Sequence, residues 1–376
     1  MEGIASAKEP RADDLIRFRR VIVIAVLPEI VVVDYQIAAI LGMEKQASQT
    51  QTNHKRERQH GMKILIDCDP GHDDAIAILY AAQHLDIVGI TTIFGNQTVE
   101  KTTLNALKVL TLAGLSYPVA KGCDRPLIGE APLATDVHGA SGLDGVELPD
   151  AAMQAVDQHA VSFIIEKAKR YRGQLSLAIT GAHTNVAMAL RLEPRLKEWI
   201  TRISIMGGTT GIGNLKPQAC VNILSDPEAA HIVFSSGIPI HWIGYDATRT
   251  VLMELDQIEQ LRNSGKRVAR AVGDIAFYYR ERQLYINGLN GAPMHDSCAI
   301  IPLIRDDLIR YQPVHLDVAL DQGIARGMTV VDRRPLQPHA VLSSVSARKP
   351  DNVLMATELD RKAIIETIMT AVLQYA

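Results

Sequence analysis

The chain has 376 residues, of which 47% are hydrophobic, and its formal net charge at pH 7 is −3. This length allows one large core or two modest ones, and the charge balance argues against a nucleic-acid partner, which needs a basic surface. The four cysteines have no C-x-x-C spacing, which favours reduced thiols in a cytoplasmic protein.

The first 61 residues differ from the rest. A basic stretch at 17–20 precedes a largely apolar stretch at 21–43, a pattern that resembles a membrane anchor. Pro28, Glu29 and Asp34 interrupt the apolar stretch, and a charge at mid-membrane depth is costly. Residues 44–60 are polar and typical of a disordered linker. We therefore predict an N-terminal extension at 1–61, disordered or outside the fold, a single domain at 62–376 and no membrane association, with an anchor as the alternative.

The domain is predicted to begin with a strand, a tight turn and a helix. The apolar run at 62–66 is typical of a buried strand, and Pro70 and Gly71 end it. Apolar residues then recur at helical spacing from Asp73 onward. Four carboxylates gather where the strand ends and the helix begins: Asp67, Asp69, Asp73 and Asp74.

This carboxylate cluster predicts a cation site. Like charges at such spacing raise one another's pKa or require a cation, and a helix N-terminus offsets only part of the repulsion. Because the ligands are all oxygen, the pattern indicates a hard ion, Ca²⁺ or Mg²⁺. The structural alternative is an N-cap carboxylate with solvated neighbours, which explains one or two of these residues but not four.

Strands and helices alternate along the rest of the chain. Predicted strands cover 87–94, 118–120, 175–179, 203–206 and 238–243. Predicted helices cover 99–115, with Thr98 as its N-cap, 160–171, 255–264, 267–285, 297–303 and 360–375, and others begin after Thr184 and at Asp226. Residues 129–149 form a long loop, of a kind that is usually functional or disordered. The alternation predicts an α/β fold, an open and mainly parallel sheet with helices on both faces. Residues 314–320 and 328–332 add a small antiparallel pair near the C-terminus.

Polar residues collect where predicted strands end. Because the carboxyl ends of parallel strands share one edge of a sheet, these residues are expected to converge. Singly, each has a structural explanation, such as a turn for Asn96, a strand end for Thr180 or simple packing for His295. Together with the carboxylates they predict a site for a polyol and a metal. The set is Asp69, Asn96, Thr180, Asn214, Asn222 and Asp296.

Six segments in this order resemble the inosine–uridine-preferring nucleoside hydrolases. The most specific is Asp67-Cys68-Asp69-Pro70-Gly71-His72-Asp73-Asp74-Ala75. The others are TTIFGN at 91–96, TGAHTN at 180–185, MGG at 206–208, NILSDPEAA at 222–230 and HD at 295–296. The resemblance covers residue 62 to the C-terminus and implies a nucleoside hydrolase-like form of the predicted fold.

The resemblance implies Ca²⁺-dependent hydrolysis of the N-glycosidic bond of ribonucleosides, giving free base and ribose. The implied Ca²⁺ ligands are Asp69, Asp74, the backbone carbonyl of Thr180, and Asp296. The residues implied to grip the sugar hydroxyls are Asp73, Asn96, Asn214 and Asn222. Asp69 matches the general base that activates water, His295 matches the position proposed to protonate the leaving base, and His138 lies in the loop that approaches it.

The chemistry of the bond agrees with these roles. Its cleavage passes through an oxocarbenium-like state, which a carboxylate-rich pocket stabilises. The departing base needs a proton or strong hydrogen bonds, and histidine is suited to supply them near neutral pH. Tyr279, Gln283 and Tyr285 precede His295 on a predicted helix and could reach the base, although packing explains the tyrosines equally well. Two histidines and Gln283 favour a slight preference for pyrimidines.

One departure from the family pattern leaves a second class of function open. The family commonly has Glu two residues before the asparagine that matches Asn222, whereas this chain has Cys220, a weak hydrogen-bonding group. The alternative is therefore a nucleoside-binding protein of the same fold with impaired turnover. A Mg²⁺ phosphohydrolase with Asp67 or Asp69 as nucleophile would need a phosphate-binding glycine-rich loop, which we do not find. We expect a small-molecule nucleoside as the ligand and a homodimer or homotetramer.

Overall fold

The computed structural model describes residues 62–130, 132–334, 343 and 347–376, and the backbone of two short strands nearer the N-terminus. The chain divides into two compact units, residues 1–56 and 57–376. In the first unit, β1 (Ile24–Val26) pairs antiparallel with β2 (Glu29–Val31). The rest of the predicted extension lies outside the described residues, so its character and its boundary at residue 62 stay predictions. Within the described part of the chain, no helix is long and apolar enough to cross a membrane.

An eight-stranded sheet organises the second unit, in the order β11-β14-β8-β7-β6-β3-β4-β5. Every neighbouring pair in it is parallel except β11 with β14. Two small antiparallel pairs, β9 with β10 and β12 with β13, lie outside it. The strands are β3 (Lys63–Cys68), β4 (Asp86–Thr92), β5 (Val119–Lys121), β6 (Leu175–Ile179), β7 (Ile200–Met206), β8 (Ile240–Ile243), β9 (Leu252–Met253), β10 (Ala292–Pro293), β11 (Ile309–Val314), β12 (Leu316–Val318), β13 (Thr329–Val331) and β14 (Val353–Leu359).

Helices cover both faces of the sheet, and the two faces belong to separate apolar cores. Ile64 and Ile66 of β3 pack in one core, whereas Leu65 between them packs in the other. The mainly parallel α/β fold predicted from the sequence is confirmed, as is the antiparallel pair near the C-terminus. The helices are α1 (His72–His84), α2 (Val99–Leu112), α3 (Thr135–His138), α4 (Ala160–Arg170), α5 (Thr184–Leu192), α6 (Leu196–Trp199), α7 (Val221–Leu224), α8 (Pro227–Phe234), α9 (Tyr245–Thr248), α10 (Leu255–Arg262), α11 (Arg267–Asn287), α12 (Ser297–Ile304) and α13 (Arg361–Val372).

The chain order places a crevice next to β3. The chain leaves β3 for β4 on one side and returns later to place β6 on the other side. Such a switch in direction leaves the loops at the carboxyl ends of the two strands pointing apart, which opens the usual ligand crevice of this fold class. Asp69 and Thr180 follow directly from β3 and β6, so both lie at this crevice.

Several local features differ from the sequence predictions, among them two strands of the main sheet and one helix cap. The strands β11 and β14 were not predicted, since their side chains form neither a continuous apolar run nor a regular alternation of buried and exposed positions. Thr98 occupies the predicted N-cap of α2, but its side chain makes no capping hydrogen bond. Asp226 does cap α8 as predicted, because its side chain accepts a hydrogen bond from the amide of Ala229.

His183, at the N-cap position of α5, makes the free energy of unfolding depend on pH. Its ring is fully buried beside Phe234, and burial lowers its pKa from 6.5 to about 4. Between these two values the unfolded chain binds more protons than the folded one, so stability falls as the pH falls through this window. The loss amounts to about 3 kcal/mol by the linkage relation.

We expect His183→Met, which keeps an apolar volume and removes the titration, to flatten this dependence. Thermal unfolding of both proteins from pH 7 to pH 4.5 measures it, and the difference between them cancels the other titrating groups. Identical pH slopes in the two proteins would contradict this assignment.

Candidate active site

A cleft of about 190 Å³ lies at the carboxyl edge of the sheet. Its walls come from the segments after β3, β4, β6 and β7, from α3 and from α11. It is lined by nine of the eleven residues that the sequence assigned to the site, all except Asp69 and Asp74: Asp73, Asn96, His138, Thr180, Asn214, Asn222, Gln283, His295 and Asp296.

The first turn of α1 and the loop after β4 form the floor of the cleft. Asp74 accepts hydrogen bonds from the Gly71 amide at 3.0 Å, from Asn96 Nδ2 at 2.9 Å and from Thr180 Oγ1 at 2.8 Å. The amide of Asn96 donates to Asp69 Oδ2 at 2.7 Å, and Asn96 Nδ2 also donates to the Asp69 carbonyl. Asn96 therefore fixes the relative positions of the two carboxylates.

Three carboxylates are close enough to share one ion. Single oxygens of Asp73, Asp74 and Asp296 all lie within 4.8 Å of one another, and all three side chains are buried. Asp69 is not part of this tight group, but it is also buried, and its Oδ1 has no hydrogen-bond partner among the described residues. A buried carboxylate oxygen without a donor is costly. The donor set therefore fits a hard cation, since all its members are oxygen.

The pKa shifts of the carboxyl groups in the floor also indicate a cation site. Burial raises the pKa of all four carboxyl groups, and the nearby carboxylates add to the rise for Asp69, Asp73 and Asp296. A bound cation would reverse this effect, because an opposite charge favours the ionised form. The arrangement thus has the electrostatic character of a metal site.

The close approach of backbone to carboxylate explains one glycine in the floor. Gly95 has φ +154°, and a side-chain carbon there would overlap the carboxylate of Asp69. Any other residue at this position would displace the carboxylate that the sequence singles out as the general base.

One wall of the cleft depends on two asparagines. Asn222 Nδ2 donates to the backbone carbonyls of Thr180 and Met206. Asn214 is exposed, and its Oδ1 accepts from the Val221 amide at 2.9 Å, which ties the loop after β7 to the start of α7. Both asparagines therefore already have a structural role in the wall that they line.

Cys220 lines this wall in an apolar setting. It is fully buried and packs with Met206, Tyr245 and Ala299. Burial raises its pKa to about 11, so the thiol is neutral at physiological pH. The wall at this point offers little hydrogen bonding.

The cleft is also lined by two histidines and an amide, His138, His295 and Gln283. His295 Nδ1 lies 2.7 Å from Thr248 Oγ1, and its ring packs on Tyr245 at 5.1 Å between centroids. Gln283 Oε1 accepts from Asn287 Nδ2 at 2.7 Å, which leaves the Gln283 amide nitrogen as its donor. Burial lowers the pKa of His295 to about 3 and holds that of His138 well below its usual range, so both rings are neutral.

Two residues considered in the sequence lie elsewhere. Asp67 has other contacts than the remaining carboxylates. Its Oδ1 accepts from Asn185 Nδ2 and Thr91 Oγ1, and burial raises its pKa to about 7. Tyr285 is 82% exposed, so the idea that it reaches a bound base is wrong.

The sequence reasoning did not single out every residue of this site. Tyr245 and Asn287 line the cleft, and Thr248 contacts His295. Tyr245 follows a strand end, as other site residues do, and that position was the available signal. No sequence pattern marks Thr248 as a site residue, because its role depends on contact with His295, 47 positions away.

The chain matches known proteins over most of its length. The sequence profile of the family described as inosine-uridine preferring nucleoside hydrolase matches residues 64–366. The chain is 39% identical over 272 residues to pyrimidine-specific ribonucleoside hydrolase RihB of Escherichia coli O1:K1, and this alignment covers 72% of the chain and 87% of RihB. RihB of Escherichia fergusonii matches with the same identity and coverage.

Solved structures match as well. A plant nucleoside hydrolase, PpNRh1, superposes with a TM-score of 0.76 at 29% identity over 83% of this chain and 99% of that one. A purine-preferring ribonucleoside hydrolase from Gardnerella vaginalis superposes with a TM-score of 0.76 at 30% identity over 83% of this chain and 98% of that one.

Fold, cleft and relatives together define an enzyme that hydrolyses nucleosides, a nucleoside N-ribohydrolase. The resemblance found in the sequence motifs is confirmed. The chain belongs to the inosine-uridine preferring nucleoside hydrolase family.

Proposed function

We propose that this enzyme hydrolyses the N-glycosidic bond of ribonucleosides in a Ca²⁺-dependent reaction that gives free base and ribose. The observation that carries the proposal is the group of three buried carboxylates, Asp73, Asp74 and Asp296, at a cleft that two histidines also line. The substrates are purine or pyrimidine nucleosides, with a slight preference for pyrimidines.

The proposed ligands of the ion are Asp69, Asp74, Asp296 and the backbone carbonyl of Thr180. An all-oxygen set with several carboxylates suits Ca²⁺. Compared with Mg²⁺, this ion accepts a larger number of ligands and a less regular geometry. When bound, the ion orients the sugar diol and makes a water molecule easier to deprotonate. The Thr180 carbonyl already accepts from Asn222, and its second lone pair remains for the ion.

Asp69 is the proposed general base. Its Oδ2 is held by the Asn96 amide, whereas its Oδ1 has no donor among the described residues and can accept a proton. Asp73, Asn96, Asn214 and Asn222 are proposed to bind the sugar hydroxyls. The surrounding carboxylates stabilise the positive charge that develops on the sugar ring as the bond breaks.

The part of the cleft lined by His138, Gln283 and His295 is proposed to hold the base. His295 assists the departing base, His138 contacts it, and the Gln283 amide nitrogen donates to one of its carbonyl oxygens. Support for a pyrimidine comes from RihB, a pyrimidine-specific relative, whereas the similar Gardnerella enzyme is purine-preferring. A panel of purine and pyrimidine nucleosides, assayed for free base, decides between them.

The same panel tests the alternative function. A binding protein impaired at Cys220 would bind nucleosides without releasing base, and Cys220→Glu would then create turnover. A phosphohydrolase would release phosphate from a nucleotide. Release of free base by the unaltered protein supports the proposed function and contradicts both alternatives.

We expect Asp74→Ala to abolish Ca²⁺ binding. The carboxylate of Asp74 lies at the centre of the floor, so its loss removes an anionic ligand and the anchor for Asn96 and Thr180. Calorimetry after chelation should show Ca²⁺ rebinding to the unaltered protein and none to the variant. Asp67→Asn, which changes a buried carboxylate outside the cleft, is the matched control and should bind normally. Equal Ca²⁺ binding by Asp74→Ala and the unaltered protein would refute the ligand assignment.

The domain at 62–376 is proposed to carry the whole activity, as a cytoplasmic homodimer or homotetramer. All four cysteines are free, which is typical of a reducing compartment. Light scattering on the purified enzyme measures the assembly.

A further inference from the structure

His72 lies directly behind His138, one layer away from the cleft. Its ring is fully buried in the first turn of α1 and does not line the cleft, whereas His138 does. The His72 ring stacks on Tyr278 at 5.0 Å, on Tyr279 at 5.6 Å and on His138 at 5.3 Å between centroids. The orientation of His72 is therefore fixed by packing on several rings.

Both ring nitrogens of His72 are engaged. Nε2 lies 2.9 Å from the backbone carbonyl of Asp144, and Nδ1 lies 3.0 Å from His138 Nδ1. A carbonyl only accepts, so His72 Nε2 carries a hydrogen. A neutral imidazole has a single N–H, so His72 Nδ1 is then an acceptor and the hydrogen between the rings belongs to His138 Nδ1.

The backbone amide of His72 makes a second contact with His138. The His72 amide also points at His138 Nδ1, at the longer distance of 3.3 Å. It would bond only to an unprotonated Nδ1. That arrangement leaves two nitrogen lone pairs facing each other at 3.0 Å, unless His72 takes up a second proton and with it a positive charge. The partners of the His72 ring nitrogens are a carbonyl and an imidazole, both uncharged, and a buried charge without an ionic partner is costly. The shorter contact between the rings therefore decides the arrangement.

We infer that His72 is a positioning residue, which holds His138 with its proton on Nδ1 so that His138 Nε2 is left as an acceptor for an N–H group of the base. This inference rests on the proposed function, in which His138 contacts the base. Uracil carries an N–H at N3, whereas cytosine has a lone pair there. The arrangement therefore lets His138 distinguish uridine from cytidine.

Two variants of His72 test the inference. His72→Phe keeps an aromatic ring in the stack and removes both nitrogens. His72→Asn places an amide oxygen near the position of Nδ1, where it can accept from His138. We expect His72→Phe to lower kcat/KM for uridine about tenfold, the effect of one hydrogen bond, and to affect cytidine less. It should leave p-nitrophenyl riboside unchanged, because its leaving group needs no help from His138. His72→Asn should restore most of the uridine activity.

Nitrogen NMR of ring-labelled histidine gives a readout that does not depend on turnover. The His138 signals are assigned by their loss in His138→Gln. The expected result is the Nδ1–H tautomer in the unaltered protein and in His72→Asn, with the Nε2–H tautomer appearing in His72→Phe.

Three results would overturn the inference: an Nε2–H tautomer in the unaltered protein, an unchanged tautomer in His72→Phe, or equal losses on all three substrates. If His72→Phe fails to fold, the tautomer of the unaltered protein and the activity of His72→Asn still decide. Failure of the proposed function is a separate result, since the unaltered enzyme would then release no base while the tautomer could still be measured.

Discussion

Asp69→Asn is expected to lower kcat for every nucleoside by at least about 10²–10⁴-fold, the range attributed to general-base assistance. The substitution keeps the size of the side chain, so the hydrogen bond from the Asn96 amide survives at an amide oxygen. It removes the group that accepts the proton of water and one anionic ligand of the ion. Because every substrate needs an activated water, uridine, inosine and p-nitrophenyl riboside should lose activity alike.

The control for Asp69→Asn is Asp67→Asn. Asp67 is two residues away and equally buried, but its Oδ1 accepts from Asn185 and Thr91, and it is not among the proposed ligands of the ion. Measured kcat values for the three substrates should stay near those of the unaltered enzyme. A mild loss in Asp69→Asn, comparable with that of Asp67→Asn, would remove the base role from Asp69.

His295→Ala is expected to discriminate between substrates. His295 acts on the departing base, so its removal should lower kcat for uridine and inosine by about 10–10²-fold, the effect of a hydrogen bond to a group that becomes charged as it leaves. p-Nitrophenyl riboside should keep its rate, because a nitrophenolate leaves without protonation. The ring is neutral in the cleft, since burial lowers its pKa to about 3, so it assists the base by donating a hydrogen bond and keeps its proton.

Thr248→Val gives a second test of the role of His295 in assisting the departing base. Thr248 Oγ1 lies 2.7 Å from His295 Nδ1, so this variant should reproduce part of the defect, on the same substrates, without touching the metal ligands. Equal losses on all three substrates in His295→Ala would mean that His295 acts only by supporting its neighbour Asp296.

The strand, turn and helix around Asp69 could be predicted because each signal is local. An apolar run, a Pro-Gly turn and a helical repeat follow one another within 62–79. The same holds for the cap at Asp226. β14 could not be predicted in this way, because it lies at the antiparallel side of the sheet with exposed side chains between buried ones.

On α11, residue spacing alone could have predicted which side chains line the cleft together. Tyr279 and Gln283 are four residues apart and both line the cleft, as helical geometry requires. Tyr285 is six residues from Tyr279, about 240° around the helix, and is exposed. Its exclusion from the site was therefore predictable, and grouping it with the other two was an error of spacing.

Contacts between segments that are distant along the chain could not be predicted from the sequence. His72 belongs to the most specific motif, yet its contact with His138 joins residues 66 positions apart and depends on how α3 meets α1. Asp67 lies in the same motif, but its side chain shares the face of Leu65, towards Asn185. Four carboxylates adjacent in sequence therefore did not mean four carboxylates around one ion.

Free base released by chelated and by Ca²⁺-reconstituted enzyme is the most direct measurement of the proposed reaction. Uridine and inosine are incubated with the unaltered protein after its metal has been removed and the removal verified, and base and ribose are quantified by chromatography. We expect almost no base from the chelated enzyme and, once Ca²⁺ is restored, base and ribose in equal amounts. Full activity in the metal-free enzyme, or no base with Ca²⁺ bound, would contradict it.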